Sequence, residues 1–286
     1  MKIGLCLSGG GVKGAAHIGV IKALEEENIK FSYISGTSSG SIVATLYASG
    51  YSAEECLRIF KKYSKKINYI DAKNIFNFFK RAITKGKFLV DGLNSGEIIE
   101  KLIRKECNKK GIYNINDIKF PLIIPSVNLY TGEVYIFTSQ KESRNYSNEI
   151  KYVSCIEIGR AVRASCSYPG IFSPCPYNST KLIDGGIREN TPWKELKKMG
   201  VDKVINVVFE KEAREEKEFN VIDVVANSID ILCKELADYE LSGADFLLKI
   251  KTDNISLLDT KKIDELYEIG YKTAKKEIKN IKKLIT

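Results

Sequence analysis

Short apolar runs alternate along the chain with segments in which apolar residues recur every three or four positions. The short runs predict strands, and the helical periodicity predicts amphipathic helices. The predicted strands are 2–8, 31–34, 120–127, 134–138, 181–183, 201–209 and 245–251. The predicted helices are 15–27, 52–66, 92–104, 153–165, 221–241 and 263–285, with one more beginning after Gly40. This alternation predicts a single α/β domain over residues 1–286, without internal repeats or a linker.

Two stretches stand apart from this alternation. Between residues 60 and 95, aromatic side chains are interleaved with lysine and arginine. Such a mixture is typical of a membrane-facing surface or a mobile cap over a lipid site. A helical excursion whose aromatic side chains pack on the core explains it equally well. Residues 255–286 predict a C-terminal helical extension with lysines on a solvated outer face.

A G-T-S-S-G motif at residues 36–40 lies between a predicted strand and a predicted helix. The pattern G-x-S-x-G in this context is typical of a nucleophile elbow, a strained turn that exposes its serine. Gly36 and Gly40 are needed there because a Cβ atom would collide with the neighbouring strand or helix. Ser38 would lie at the positive end of a helix dipole, which favours developing negative charge. Ser38 is therefore the candidate nucleophile.

A second glycine-rich motif, G-G-G-V-K-G at residues 9–14, follows the first predicted strand. Gly9, Gly11 and Gly14 match the dinucleotide-binding fingerprint, but no acidic residue follows about 20 positions later to hold a ribose. A Walker-type phosphate loop is not matched, because Lys13 is followed by glycine. The N–H groups of Gly9, Gly10 and Gly11 are suited instead to an oxyanion hole. Nucleotide binding remains the alternative.

The candidate general base is a carboxylate. The chain has one histidine, His17, about one helical turn beyond the glycine loop, where it is expected to brace the structure. Asp184 ends a predicted strand, and Gly185 and Gly186 leave its carboxylate unobstructed. A tight turn is the simpler explanation of an Asp-Gly pair taken alone. Because a carboxylate with a pKa of ~3.9 is a weak base, burial would have to raise the pKa of Asp184.

Composition describes an ordinary globular protein, with 44% hydrophobic and 28% charged residues among 286. No apolar run approaches the ~20 residues of a membrane span, and the N-terminus does not resemble a secretory signal. The seven cysteines are scattered and odd in number, as expected for free thiols in the cytoplasm. One histidine and no clustered ligands predict no metal or cofactor.

The net charge of +9 is carried by one segment of the chain. Residues 60–110 contain 14 Lys or Arg and 5 Asp or Glu, and the remainder is balanced. This localisation indicates an anionic surface as the partner of that segment.

The three motifs, in this order, resemble the patatin-like phospholipase family, in particular its bacterial branch, which is similar to the catalytic domain of neuropathy target esterase. Supporting matches are AAHIGVIKALEE at 15–26, YASGYS at 47–52, ASCSYPGIFSP at 164–174 and ENTPW at 189–193. Lys13 fills a position that the family usually gives to a basic residue. The resemblance covers most of residues 1–251.

The resemblance implies a three-layer α/β/α sandwich with a mostly parallel central sheet. It also implies a dyad of Ser38 and Asp184, oxyanion-hole amides from Gly9, Gly10 and Gly11, and hydrolysis of lipid esters without a metal. The expected partners are a phospholipid or other lipid ester and, transiently, an anionic membrane surface through residues 60–110, with no nucleic acid. A non-catalytic lipid-binding protein with the same fold is a further alternative.

Overall fold

The computed structural model describes residues 1–67, 92–140, 149–210, 221–252 and 255–286. Most of the predicted cap over residues 60–95 lies outside the described residues. No helix in the described ranges is both long and apolar enough to cross a membrane.

A nine-stranded sheet forms the centre of the fold, with the order β5-β4-β3-β2-β1-β8-β9 and with β7 paired to β3 and β6. The strands are β1 Ile3–Leu7, β2 Tyr33–Gly36, β3 Leu122–Asn128, β4 Val134–Thr138, β5 Ile150–Val153, β6 Cys175–Tyr177, β7 Thr180–Asp184, β8 Lys203–Phe209 and β9 Phe246–Ile250. Pairing is parallel from β3 through β2, β1 and β8 to β9, whereas β4 and β7 run antiparallel to β3. The predicted mostly parallel sheet is confirmed.

Helices cover both faces of this sheet. They are α1 Gly14–Glu26, α2 Ser39–Ala48, α3 Ala53–Ser64, α4 Glu97–Asn108, α5 Ile158–Ser165, α6 Trp193–Lys198, α7 Val221–Glu240 and α8 Ile263–Ile285. The larger core cluster joins β1 to α1, α2, α5 and α8, and a smaller one joins the opposite face of the sheet to α6. Every residue of β1 is buried, as expected for a central parallel strand covered on both faces.

The predicted helix 153–165 begins five residues too early. Residues up to Val153 form β5, which pairs with β4, and the helix begins at Ile158. The side chain of Glu157 accepts hydrogen bonds from the N–H groups of Gly159 and Arg160, at 2.9 and 3.1 Å, and so caps the helix there. The short elements β6 and α6 were not predicted, because three to six residues carry too little periodicity.

The C-terminal extension is part of the core rather than an appendage. Helix α8 crosses α1 so closely that a Cβ atom on Gly19 would lie 2.0 Å from the carbonyl oxygen of Tyr267. A Cβ atom on Gly270 would lie 2.0 Å from the carbonyl oxygen of Ala16. On the lysine-rich face of α8, the partly exposed ammonium of Lys275 pairs with the carboxylates of Glu26 and Glu27 at the end of α1.

Candidate active site

Ser38 occupies a strained turn between β2 and α2. Its φ of 51° and ψ of −122° are unusual for a residue with a side chain and cost about 1–3 kcal/mol. A Cβ atom on Gly36 would lie 2.3 Å from the carbonyl oxygen of Gly40, and one on Gly40 would lie 2.4 Å from that of Leu7. The Ser38 N–H donates to Ser165 Oγ at 3.0 Å. The turn thus has the backbone geometry expected of a nucleophile elbow.

Asp184 lies at the end of β7, where Ser126 of β3 is its register partner. The side chain is 2% exposed, and its Oδ1 accepts the N–H of Gly186 at 2.8 Å. A Cβ atom on Gly185 would lie 2.5 Å from the carbonyl oxygen of Pro125, so the turn requires glycine there. Within the described part of the chain, the buried Oδ2 of Asp184 accepts no direct hydrogen bond. One carboxylate oxygen is therefore left for chemistry.

Burial raises the pKa of Asp184 from 3.8 to about 7, because the charged carboxylate loses its hydration. The Ser38 hydroxyl and the hydrogen bond from Gly186 act in the opposite direction and lower the pKa. The Ser38 hydroxyl thus lowers the pKa of Asp184, although it donates no direct hydrogen bond to Oδ2 in the described structure. A base with a pKa near neutrality is well matched to proton abstraction at physiological pH.

The glycine loop lies directly against the nucleophile. A Cβ atom on Gly9 would lie 3.2 Å from the Cβ of Ser38. The N–H of Gly9 already donates to Asn190 Oδ1 at 2.9 Å. Among the described residues, none accepts a hydrogen bond from the N–H of Gly10 or Gly11. These two N–H groups of the loop are therefore left to bind an incoming acceptor.

The rest of the loop packs against other parts of the chain. Gly11 has a φ of +58°, and the next N–H, that of Val12, donates to the carbonyl oxygen of Leu257 at 2.8 Å. Gly14 packs on the elbow helix, since its Cβ would lie 3.0 Å from the Cβ of Ser39. Lys13 is 9% exposed at the end of the loop. A carbonyl group beside the loop is an unfavourable neighbour for a phosphate, which weakens the nucleotide-binding alternative.

His17 braces the glycine loop. Its Nε2 hydrogen-bonds to the carbonyl oxygen of Ser8 at 2.8 Å, and its ring centroid lies 4.8 Å from that of Phe209. Burial lowers the pKa of His17 to about 4, so the ring is neutral near pH 7 and Nε2 carries the donated proton. The predicted bracing role is confirmed.

Sequence reasoning missed two polar contacts and a thiol at this site. Ser165 and Asn190 hold backbone N–H groups of the elbow and the glycine loop. Cys166 is buried, and burial together with the negative charge of Asp184 raises the pKa of its thiol. In the sequence, these three residues are marked only by lying within segments 164–174 and 189–193, which support the family resemblance.

No group of three or more His, Cys, Asp or Glu residues in the described ranges is arranged to hold a metal ion.

Comparison with known proteins matches residues 5–197 to a family model described as patatin-like phospholipase. Lysophospholipase NTE1 of Meyerozyma guilliermondii is 31% identical over 205 residues, which cover 72% of this chain and 12% of that protein. The uncharacterized protein YqhO of Bacillus subtilis is 29% identical over 219 residues, which cover 75% of this chain and 73% of that protein. The chain thus spans only a small part of the NTE1 proteins that it matches.

Solved structures show the same fold at low sequence identity. VipD from Legionella pneumophila superposes with a TM-score of 0.52 and 14% identity, covering 98% of this chain and 67% of VipD. Human GIVD cytosolic phospholipase A2, in complex with methyl gamma-linolenyl fluorophosphonate, gives a TM-score of 0.50 and 9% identity. That match covers 99% of this chain and 58% of the human one.

Proposed function

The chain belongs to the patatin-like phospholipase family, and on that premise we propose that it is a serine hydrolase that cleaves lipid esters through Ser38 and Asp184. The observation that carries the proposal is the pairing of a strained, partly exposed serine with a buried carboxylate whose pKa is about 7. Family membership supports a lipid ester as the substrate; whether it is a phospholipid, a lysophospholipid or a simpler ester is left to the test below.

In the proposed mechanism, Asp184 Oδ2 accepts the hydroxyl proton as Ser38 Oγ attacks the ester carbonyl. The tetrahedral intermediate collapses, the ester C–O bond breaks, and the protonated Asp184 donates its proton to the leaving alcohol. Asp184 then takes a proton from a water molecule whose oxygen attacks the acyl carbon, and it returns that proton to Ser38 Oγ as the acyl C–O bond breaks and the fatty acid leaves.

Gly10 and Gly11 are the proposed oxyanion donors, because the N–H of Gly9 is already bound to Asn190. One such donor contributes about 3 kcal/mol to stabilisation of the transition state. Gly9 keeps a packing role, since any side chain there would contact Ser38.

The basic segment 60–110 is proposed to contact the anionic lipid surface from which substrate is drawn. Its described parts are 60–67 and 92–110. Within the described part, Lys62 and Lys66 lie 5.5 and 5.9 Å from the ring centroid of Tyr63, which is within the range of cation–π attraction. A cytoplasmic location with transient membrane contact remains a prediction.

The test is hydrolysis of a p-nitrophenyl ester and a lysophospholipid by the wild type and by single variants. Ser38→Ala should reduce the rate to background, and Asp184→Asn should reduce kcat about 10²- to 10⁴-fold. The kcat/KM of the wild type should rise with pH through a midpoint near 7, as Asp184 ionises.

Two controls accompany these variants. Ser256→Ala removes the exposed hydroxyl at residue 256 and should retain full hydrolysis. His17→Ala tests the rival base: it removes a buried brace beside the glycine loop, so it should lower hydrolysis, but much less than Asp184→Ala does. Activity that survives Asp184→Ala, or is lost only with His17→Ala, would contradict the dyad. Lipid binding without hydrolysis by the wild type would favour the non-catalytic alternative, and tight dinucleotide binding would favour the nucleotide alternative.

A further inference from the structure

The side chain of Asn190 lies between the two loops that carry the proposed chemistry. Its Oδ1 accepts the N–H of Gly9 at 2.9 Å, and Gly9 in turn abuts Ser38. A Cβ atom on Gly186 would lie 3.1 Å from Asp184 Oδ1 and 3.3 Å from Asn190 Oδ1. The amide of Asn190 is therefore close to both the nucleophile and the base, although it belongs to neither motif.

Asn190 is itself held in place by the last residue of α7. The Glu240 carboxylate accepts the N–H of Asn190 at 3.1 Å, the N–H of Thr191 at 3.2 Å and Thr191 Oγ1 at 3.0 Å. The indole N–H of Trp193 donates to the backbone carbonyl of Glu240 at 2.7 Å. These contacts fix the backbone at Asn190, so that its short side chain has little freedom to leave Gly9.

Three consecutive glycines have the greatest backbone freedom of any sequence, whereas an oxyanion hole needs donors held in one place. In the described chain, the bond to Asn190 is the only side-chain hydrogen bond to a backbone N–H of residues 9–11. A neutral amide can make this bond without placing a negative charge where the oxyanion forms.

We propose that Asn190 is a positioning residue that fixes the glycine loop against Ser38, so that the N–H groups of Gly10 and Gly11 are preorganised for the oxyanion. This inference rests on the proposed function. It assigns a function to a contact between residues 181 positions apart in the sequence. Asn190 acts through Gly9 and does not itself contact the substrate.

The test compares Asn190→Ala and Asn190→Asp with the wild type, using a soluble ester to separate kcat from KM. Asn190→Ala should lower kcat about 10- to 100-fold, because misplaced donors stabilise the transition state less. KM should stay within about threefold, and the melting temperature within about 4 °C. The matched control Asn280→Ala removes an exposed amide that pairs with Glu277 on α8, and should behave as wild type.

Asn190→Asp retains an acceptor for the N–H of Gly9 and should recover part of the kcat that alanine loses, but not all of it, because its negative charge lies near the oxyanion. It adds a negative charge near Asp184, so the rise of kcat/KM should move to higher pH. If Asn190→Ala does not fold, Asn190→Leu carries the test, because leucine has a similar volume and offers no acceptor to the N–H of Gly9. A wild-type kcat in folded Asn190→Leu then overturns the proposal.

Unchanged kcat in folded Asn190→Ala also overturns it. An increase in kcat also overturns the proposal, because it would mean that the Asn190 amide occupies the Gly9 N–H and keeps it from binding the oxyanion. A lower kcat that parallels a large loss of melting temperature, with no recovery in Asn190→Asp, means that Asn190 only supports the fold. Full activity of Ser38→Ala would refute the proposed function itself. If Ser38→Ala is inactive but Asn190→Ala is fully active, only the inference about Asn190 is refuted.

Discussion

A buried carboxylate that must ionise to act as a base reduces the stability of the folded protein. The pKa of Asp184 is about 7 in the folded chain, against an ordinary value of 3.8. Asp184 therefore holds its proton more tightly in the folded state than in the unfolded state. As pH rises from 3.8 to 7, ionisation of Asp184 lowers the free energy of unfolding by a growing amount. Above pH 7 this cost is fully present and amounts to about 4 kcal/mol.

Asp184→Asn removes the charge while keeping an oxygen that can accept the N–H of Gly186. The variant should therefore be more stable than the wild type, and its advantage should depend on pH. Between pH 5 and pH 8.5 the advantage should grow by about 2–3 kcal/mol, because the wild type loses that much as Asp184 ionises. Any packing difference between the two side chains is the same at both pH values and cancels.

Urea unfolding at pH 5 and pH 8.5 measures this difference. The matched control is Asp117→Asn, since hydrogen bonds from the N–H groups of Asn114 and Tyr113 lower the pKa of Asp117. Asp117 is ionised in the folded and unfolded states at both pH values, so its variant should show no pH-dependent difference. An Asp184→Asn advantage that is equal at pH 5 and pH 8.5 would refute the raised pKa.

Three further outcomes are expected. Ser165→Ala leaves the Ser38 N–H without its acceptor, and should lower the free energy of unfolding by about 1–3 kcal/mol in urea. Gly270→Ala should lower the free energy of unfolding, because the new Cβ would collide with the carbonyl oxygen of Ala16. At an open helix position the same change stabilises by about 1 kcal/mol, so a stabilised variant would contradict the close crossing of α1 and α8. Flotation should show stronger binding to anionic than to neutral vesicles, weakened by salt; equal binding would remove the electrostatic role of residues 60–110.

Local motifs made the centre of this fold predictable from sequence. The elbow at Ser38 and the turn after Asp184 need glycine at fixed positions, where a Cβ atom would collide with backbone. Burial on both faces makes β1 a continuous apolar run and β8 an apolar run interrupted only by Asn206 after its first residue, and such runs are easily recognised. The pairing of Ser38 with Asp184 followed from the scarcity of histidine and from family resemblance, and its catalytic role remains a prediction.

What was missed depends on contacts between distant parts of the chain. Ser165 and Asn190 are short polar residues whose partners lie 127 and 181 positions away, and no periodicity marks such contacts. The beginning of α5 depends on the cap at Glu157 rather than on the apolar pattern before it. The packing of α8 on α1 needs two glycines, Gly19 and Gly270, that sequence alone does not pair.

The attachment of the glycine loop to Leu257 bears on how this protein acquires activity during synthesis. Ser38 leaves the ribosome early, but β1 gains its neighbour β8 only after residue 209, and Val12 gains its acceptor only after residue 257. Such non-local contacts form late and slow folding. A nascent chain therefore carries Ser38 well before the glycine loop beside it can be held in place. The proposed site can therefore be complete only after residue 257 has been synthesised.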